Sequence, residues 1–152
     1  MRMSAATKLE YDKVNKAFNI IITKLKLDLN VIARPMTPGK LKRYPKTYFT
    51  IERSNRDKQD RKSFIVFFNQ NLMSELTLMQ AKRHAFHEIL HAVTWGFVDE
   101  WEEVVKYLKD QPDLYGEMAS RAYDTRENVI YNMERSFGPV VLPEADWTED
   151  DD

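Results

Sequence analysis

All three histidines of this 152-residue chain lie in one short segment, HAFHEILHAV, residues 84–93, and that crowding constrains the fold more than any other feature. On an α-helix, residues four apart differ by about 40° around the axis and one turn along it, so His87 and His91 project from one face. A helical wheel gathers His84, His87, Glu88, His91 and Trp95 into one stripe about 100° wide. Met79, Phe86, Ile89, Leu90, Val93 and Phe97 fall on the other side. The segment therefore predicts a helix with an ordinary core-facing side and a second side of imidazoles and one carboxylate. A solvated helix would typically carry Lys and Glu there instead.

The rest of the chain supplies elements for that helix to pack on. Leu9, Val14, Phe18, Ile21, Ile22 and Leu25 recur at spacings of three and four, which predicts an N-terminal packing helix over residues 7–25 with a lysine-rich outer face. LDLNVIARPM, closed by Pro35, and PKTYFTIERS predict two strands, with the Pro and Gly of RPMTPGKLKRYP marking a loop between them. The charged SNRDKQDRK reads as a solvated hairpin loop because its acids dilute its bases, and SFIVFFN reads as a third, buried strand. Ser74 or Thr77 is expected to cap the histidine helix and Gly96 to end it. DEWEEVVKYLKD reads as a short separate helix, and a last helix is expected over residues 114–137, stopping at Gly138-Pro139. The expected fold is α+β, with an N-terminal helix, a small three-stranded antiparallel or mixed sheet, the histidine helix and a C-terminal helix packed beside it. One domain is expected over residues 1–140, followed by an acidic, unstructured tail at 141–152.

Composition narrows the chemistry. The chain has no cysteine, which excludes disulfides, thiolate nucleophiles and Cys-ligated metals, so any metal must be held by His, Asp or Glu. A formal net charge of −1, with no helix rich in Arg and Asn, gives no reason to expect a nucleic-acid partner. No stretch approaches the length of a membrane span, and charges interrupt the first residues where a signal peptide needs an apolar run. A cytoplasmic protein is the expectation.

His87-Glu88-Ile89-Leu90-His91 is an H-E-x-x-H sequence. Both imidazoles can reach one ion, and Glu88, about 60° to the side of His91, can lie beside a metal-bound water without ligating the ion. The competing reading is a pair of half-buried structural histidines; the capping residues and the strand upstream speak against it. His84 lies roughly 10 Å along the axis from His91, too far to share the same ion, though it can hydrogen-bond substrate or Glu88. Trp95 reads as a cleft wall.

Two histidines do not complete a catalytic zinc site, and no histidine follows His91, so a third ligand from this chain must be a carboxylate. Glu100, Glu102, Glu103, Asp110, Asp113, Glu117, Asp124, Glu127 and Glu134 all follow. Glu102 and Glu103 come so soon after the expected helix stop that the chain has little room to turn back. Glu127 fits better, at the edge of an apolar face of Ala119, Tyr123, Ile130, Met133 and Phe137 that an antiparallel helix can present to the histidines. Glu103 and Glu117 stay open as alternatives, and a salt-bridged helix acid is the plainer reading of Glu127.

Thr94 and Phe97 stand where a metzincin needs Gly and His, and the downstream histidine of SprT-like zincins is missing. HEILHAVTWG, followed some tens of residues later by the helical ENVI segment, resembles the minimal zincin metallopeptidases of the gluzincin kind, especially small phage- and prophage-type and ImmA/IrrE-like proteins. The resemblance covers residues 63–137, with Leu90 where ImmA/IrrE-like members often have glycine. It implies a zinc cofactor held by His87, His91 and Glu127, with Glu88 as general base and a protein or peptide as substrate. It also implies that SFIVFFN borders the cleft and pairs with an extended substrate. The expected reaction is peptide hydrolysis, in which Glu88 takes the proton of the attacking water and passes it to the leaving amine. Tyr123 or Tyr131 is the expected oxyanion donor, unless both only pack. The alternative is a non-catalytic zincin-like binding or regulatory module, although a structural metal has no need of Glu88.

Overall fold

The computed structural model describes residues 5–54, 60–105 and 110–147. Helix α1 (Ala5–Lys24) leads to strand β1 (Asn30–Pro35), the short helix α2 (Pro38–Arg43), and strands β2 (Phe49–Arg53) and β3 (Ser63–Phe68). A 3-10 turn (Met73–Glu75) precedes the long helices α3 (Leu78–Val105) and α4 (Pro112–Val141). The fold is α+β around a three-stranded mixed sheet of order β1-β3-β2. Val66 of β3 lies opposite Ala33 of parallel β1 on one side and Ile51 of antiparallel β2 on the other. Both edges of β3 are thus occupied, and β2 is an edge strand.

Period-two alternation decides which face of the sheet is buried. Phe64, Val66 and Phe68 point into the core, while Ser63, Ile65 and Phe67 lie on the outer face. Val14, Ala17, Phe18 and Ile21 of α1 close over the inner face, with Phe18 edge-on to Phe49 at 5.4 Å between centroids. Ala81, Ala85, Phe86 and Ile89 of α3 complete this core. Each large apolar side chain buried there contributes about 1.5–3 kcal/mol. α3 packs on α1, on β2 and on α4, which makes it the central element.

Several boundaries differ from the sequence expectation, each for a local reason. The stretch read as loop contains α2, because Thr37 caps it by accepting from the Lys40 N–H at 3.3 Å and Pro38 sits at its first turn. Leu9, expected on the packing face of α1, is 72% exposed. α3 runs through Gly96 without a break; no described glycine has positive φ, so Gly96 makes no left-handed cap, and the stretch DEWEEVV continues the same helix. α4 likewise runs through Gly138 and Pro139. A Cβ on Gly138 would come within 2.6 Å of Trp147, so glycine there serves a close approach rather than a stop. Of the apolar face expected on α4, Ile130 and Met133 pack against the core, whereas Tyr123 is 64% and Phe137 54% exposed.

The tail expected to be unstructured is a packed strap as far as Trp147. Leu142 is fully buried, and the Trp147 ring lies edge-on to Phe86 at 6.0 Å with its Nε1–H donating to the Leu142 carbonyl at 3.0 Å. Apolar Leu142, Ala145 and Trp147 outweigh the acids among them. The middle of the charged loop, residues 55–59, the end of the DEWEEVVKYLKD segment, 106–109, and the last acidic residues, 148–152, lie outside the described residues. No described helix is long and apolar enough to cross a membrane.

Candidate metal centre

The rotation of α3 is set by its buried side, and that setting aims its imidazoles. A reciprocal cap fixes where the helix begins: Thr77 Oγ1 accepts from the Gln80 N–H at 3.2 Å, and Gln80 Oε1 accepts from the Thr77 N–H at 2.9 Å. With Phe86 and Ile89 in the core, His87 and His91 point toward α4. α4 is seated by Ile130, which is fully buried, and by half-buried Met133. Glu127 lies three residues before Ile130 and Glu134 four after it, so the same seating turns both carboxylates toward the histidines.

His87 Nε2 and His91 Nε2 are 3.1 Å apart, and Glu127 Oε1 lies 3.2 Å from His91 Nε2. Glu127 Oε2 is 4.0 Å from His87 Nε2. One ligand atom from each of the three residues lies within 4.8 Å of the others. A tetrahedral zinc ion with bonds of about 2.0–2.1 Å separates its ligand atoms by roughly 3.3 Å. Two imidazoles and one carboxylate at these spacings fit such an ion in size and in donor chemistry.

The electrostatics shift the two imidazoles in opposite directions. Burial, reinforced by the charges of His87 and Arg126, holds the His91 pKa down at about 3, so its ring stays neutral with a free lone pair. Burial pulls His87 down as well, but the hydrogen bond and charge of Glu134, with Glu88 and Glu127, outweigh it and hold His87 above its ordinary value. Glu134 Oε2 is 3.1 Å from His87 Nδ1 and accepts its N–H; the same carboxylate favours the charged ring, so Nε2 faces the cluster as a donor atom once it has lost its proton. Burial pushes the Glu88 carboxyl up to about 7, opposed by His87 and Arg126 and assisted by Glu127 and Glu134.

A groove of about 210 Å³ opens beside the cluster, bordered by residues 49–51 of β2, by Glu88, His91 and Trp95 of α3, and by Tyr123, Arg126 and Glu127 of α4. The Tyr48 carbonyl accepts from Asn69 and the Ser54 N–H donates to Ser63, so even-numbered residues of β2 face β3. By antiparallel alternation, the N–H and C=O groups of Phe49, Ile51 and Arg53 then turn to the open edge. The strand that borders the groove is therefore β2. SFIVFFN, expected in that place, is the central strand, with no free edge to offer.

Among the other expected residues, Tyr123 lines the groove, whereas Tyr131 lies beneath the Arg135 guanidinium at 4.9 Å. The His84 ring packs on Tyr48 at 4.6 Å and on Phe49 at 6.4 Å. Glu117 is exposed and paired with Arg121 at 2.6 Å. Because α3 does not stop at Gly96, the backbone of residue 103 lies about 18 Å farther along the same helix than that of residue 91. Glu134, one of the candidate acids after His91, lies on His87 Nδ1 rather than in the His87-His91-Glu127 cluster, and Arg126 is absent from the sequence expectation. The seven-residue step from Glu127 to Glu134, two helical turns on one face, is the signal that marks the first. Arg126 carries no such mark. Comparison with protein-family models, curated proteins and solved structures gives no match.

Proposed function

We propose that this chain is a zinc-dependent metallopeptidase of the gluzincin kind, with a zincin-like fold. The observation that carries the reading is the convergence of His87, His91 and Glu127 beside a groove that also holds Glu88. A bound zinc ion supplies Lewis-acid polarisation of the scissile carbonyl and acidifies water near neutrality.

The chain's own residues do the rest. An extended substrate pairs with the open edge of β2, whose free backbone groups hold it across the groove. Glu88, with a carboxyl pKa of about 7, is poised to take the proton of the attacking water and return it to the leaving amine. Tyr123, at the groove wall, is the hydroxyl available to the developing oxyanion. Glu134 holds the His87 Nδ1–H, which leaves Nε2 as the donor atom once it has lost its proton.

Elemental analysis of the purified chain tests the centre. About one zinc per chain in the wild type, lost in both His87→Ala and Glu127→Ala, is the expected result. Retention of zinc by Glu127→Ala assigns the third ligand elsewhere. No zinc in the wild type, even after zinc is added, overturns the peptidase.

A further inference from the structure

Trp95 stands between two arginines that differ in one respect. Arg53, with its guanidinium 5.7 Å from the Trp95 centroid, forms an ion pair with buried Asp99. Arg126, on the other element facing Trp95, lies 5.0 Å from the same centroid and donates from Nη2 to the His91 carbonyl at 3.2 Å. That acceptor is neutral; Nε is buried without a hydrogen-bond partner among the described residues in both arginines, so the difference between them lies in the anion. Glu127, Glu88 and Tyr123 act on Arg126 electrostatically, and neither carboxylate forms an ion pair with it among the described residues. In the proposed peptidase, the first is committed to the metal and the second to proton transfer.

A partly desolvated guanidinium without a paired anion is costly; with Nε covered and one Nη2 N–H on the His91 carbonyl, the Nη1 and remaining Nη2 N–H groups at the outer end of the planar fork are the ones that match a carboxylate. Trp95 and the His91 carbonyl fix the orientation of that fork before anything binds. Arg126 also borders the same groove as Glu88 and His91, so its ligand must lie within a residue or two of the bond that is cut. We infer that Arg126 binds a substrate carboxylate next to the scissile bond, which makes the preferred substrate an acidic peptide segment or a peptide C-terminus. This rests on the peptidase reading for the position of the substrate, while the carboxylate contact itself stands on the groove geometry.

The test is a binding titration of the Glu88→Gln chain, with and without zinc, followed by fluorescence anisotropy. The probes are fluorescein-labelled octapeptide pools with Glu, Gln or Lys fixed near the centre and an amidated C-terminus, and a further Gln pool with a free C-terminal carboxylate. The expected result is about tenfold tighter binding of the Glu pool, or of the free-carboxylate Gln pool, than of the amidated Gln pool. Which of the two gains the affinity tells whether the carboxylate comes from a side chain or a terminus. Arg126→Gln is expected to equalise the pools with zinc content unchanged, and Arg126→Lys, which keeps the charge without the fork, to retain part of the preference. Equal binding of all pools, or no binding, overturns the assignment. If the wild type still cleaves those pools, the peptidase reading survives that failure. A preference for carboxylate with no cleavage by the wild type upholds Arg126 and overturns the peptidase instead.

Discussion

Helix α3 carries its two imidazoles where a four-residue spacing alone puts them, whereas α4 delivers Glu127 and Glu134 only because Ile130 and Met133 seat one side of it against the core. Even within α4 the contrast holds: Glu117 and Arg121, nearer its N-terminus, pair with each other at the surface. A carboxylate on a helix is ordinary; one turned inward by a buried neighbour is a candidate ligand. The difference teaches that half of this centre is built by local geometry and half by long-range packing.

Four substitutions break or sharpen that comparison, beginning with the largest effect. Glu88→Gln, on the locally determined helix, is expected to keep the zinc yet lower peptide cleavage by about 10²–10⁴-fold, read as turnover against zinc content. Loss of zinc along with activity would show that Glu88 is a ligand rather than a base. Ile130→Ala empties a fully buried site and is expected to cost about 2–5 kcal/mol in denaturant unfolding. Because Ile130 seats both carboxylates, the variant should also bind zinc more weakly, although Ile130 is not a ligand; unchanged zinc affinity would mean that α4 is held by other contacts.

Glu134→Gln leaves His87, His91 and Glu127 in place and removes the charge that accepts the His87 Nδ1–H. A 10–100-fold drop in zinc affinity is expected in competition with a chelator, and no drop would make Glu134 a bystander. Gly138→Ala sets a methyl group against the Trp147 ring and is expected to cost about 1–2 kcal/mol in thermal unfolding. Pairing it with Trp147→Ala, which clears the space, should remove most of that cost.

The sequence shows most of the α+β order and the pairing of His87 with His91 because those are properties of short-range periodicity. It gives three strands, their approximate places and the capping role of Thr77. It misplaces the ends of both long helices, since Gly96, Gly138 and Pro139 are breakers only where packing does not hold the helix together. The strap ending in Trp147 was hidden by the acids around it, whose charges say nothing about where a neighbouring indole will pack.

By itself, the sequence determined that side chains of this chain offer a metal no thiolate, and that two imidazoles stand one helical turn apart with Glu88 next to them. Only the tertiary structure decided which acid among many reaches those imidazoles, that Glu134 orients one of them, that Arg126 lines the groove and that β2 is the strand with an open edge. The physical reason is one of range: a helix fixes neighbours three and four residues apart through its own backbone, while the approach of residues 91 and 127, or the burial of β3 between β1 and β2, depends on which apolar surfaces find each other when the whole chain collapses.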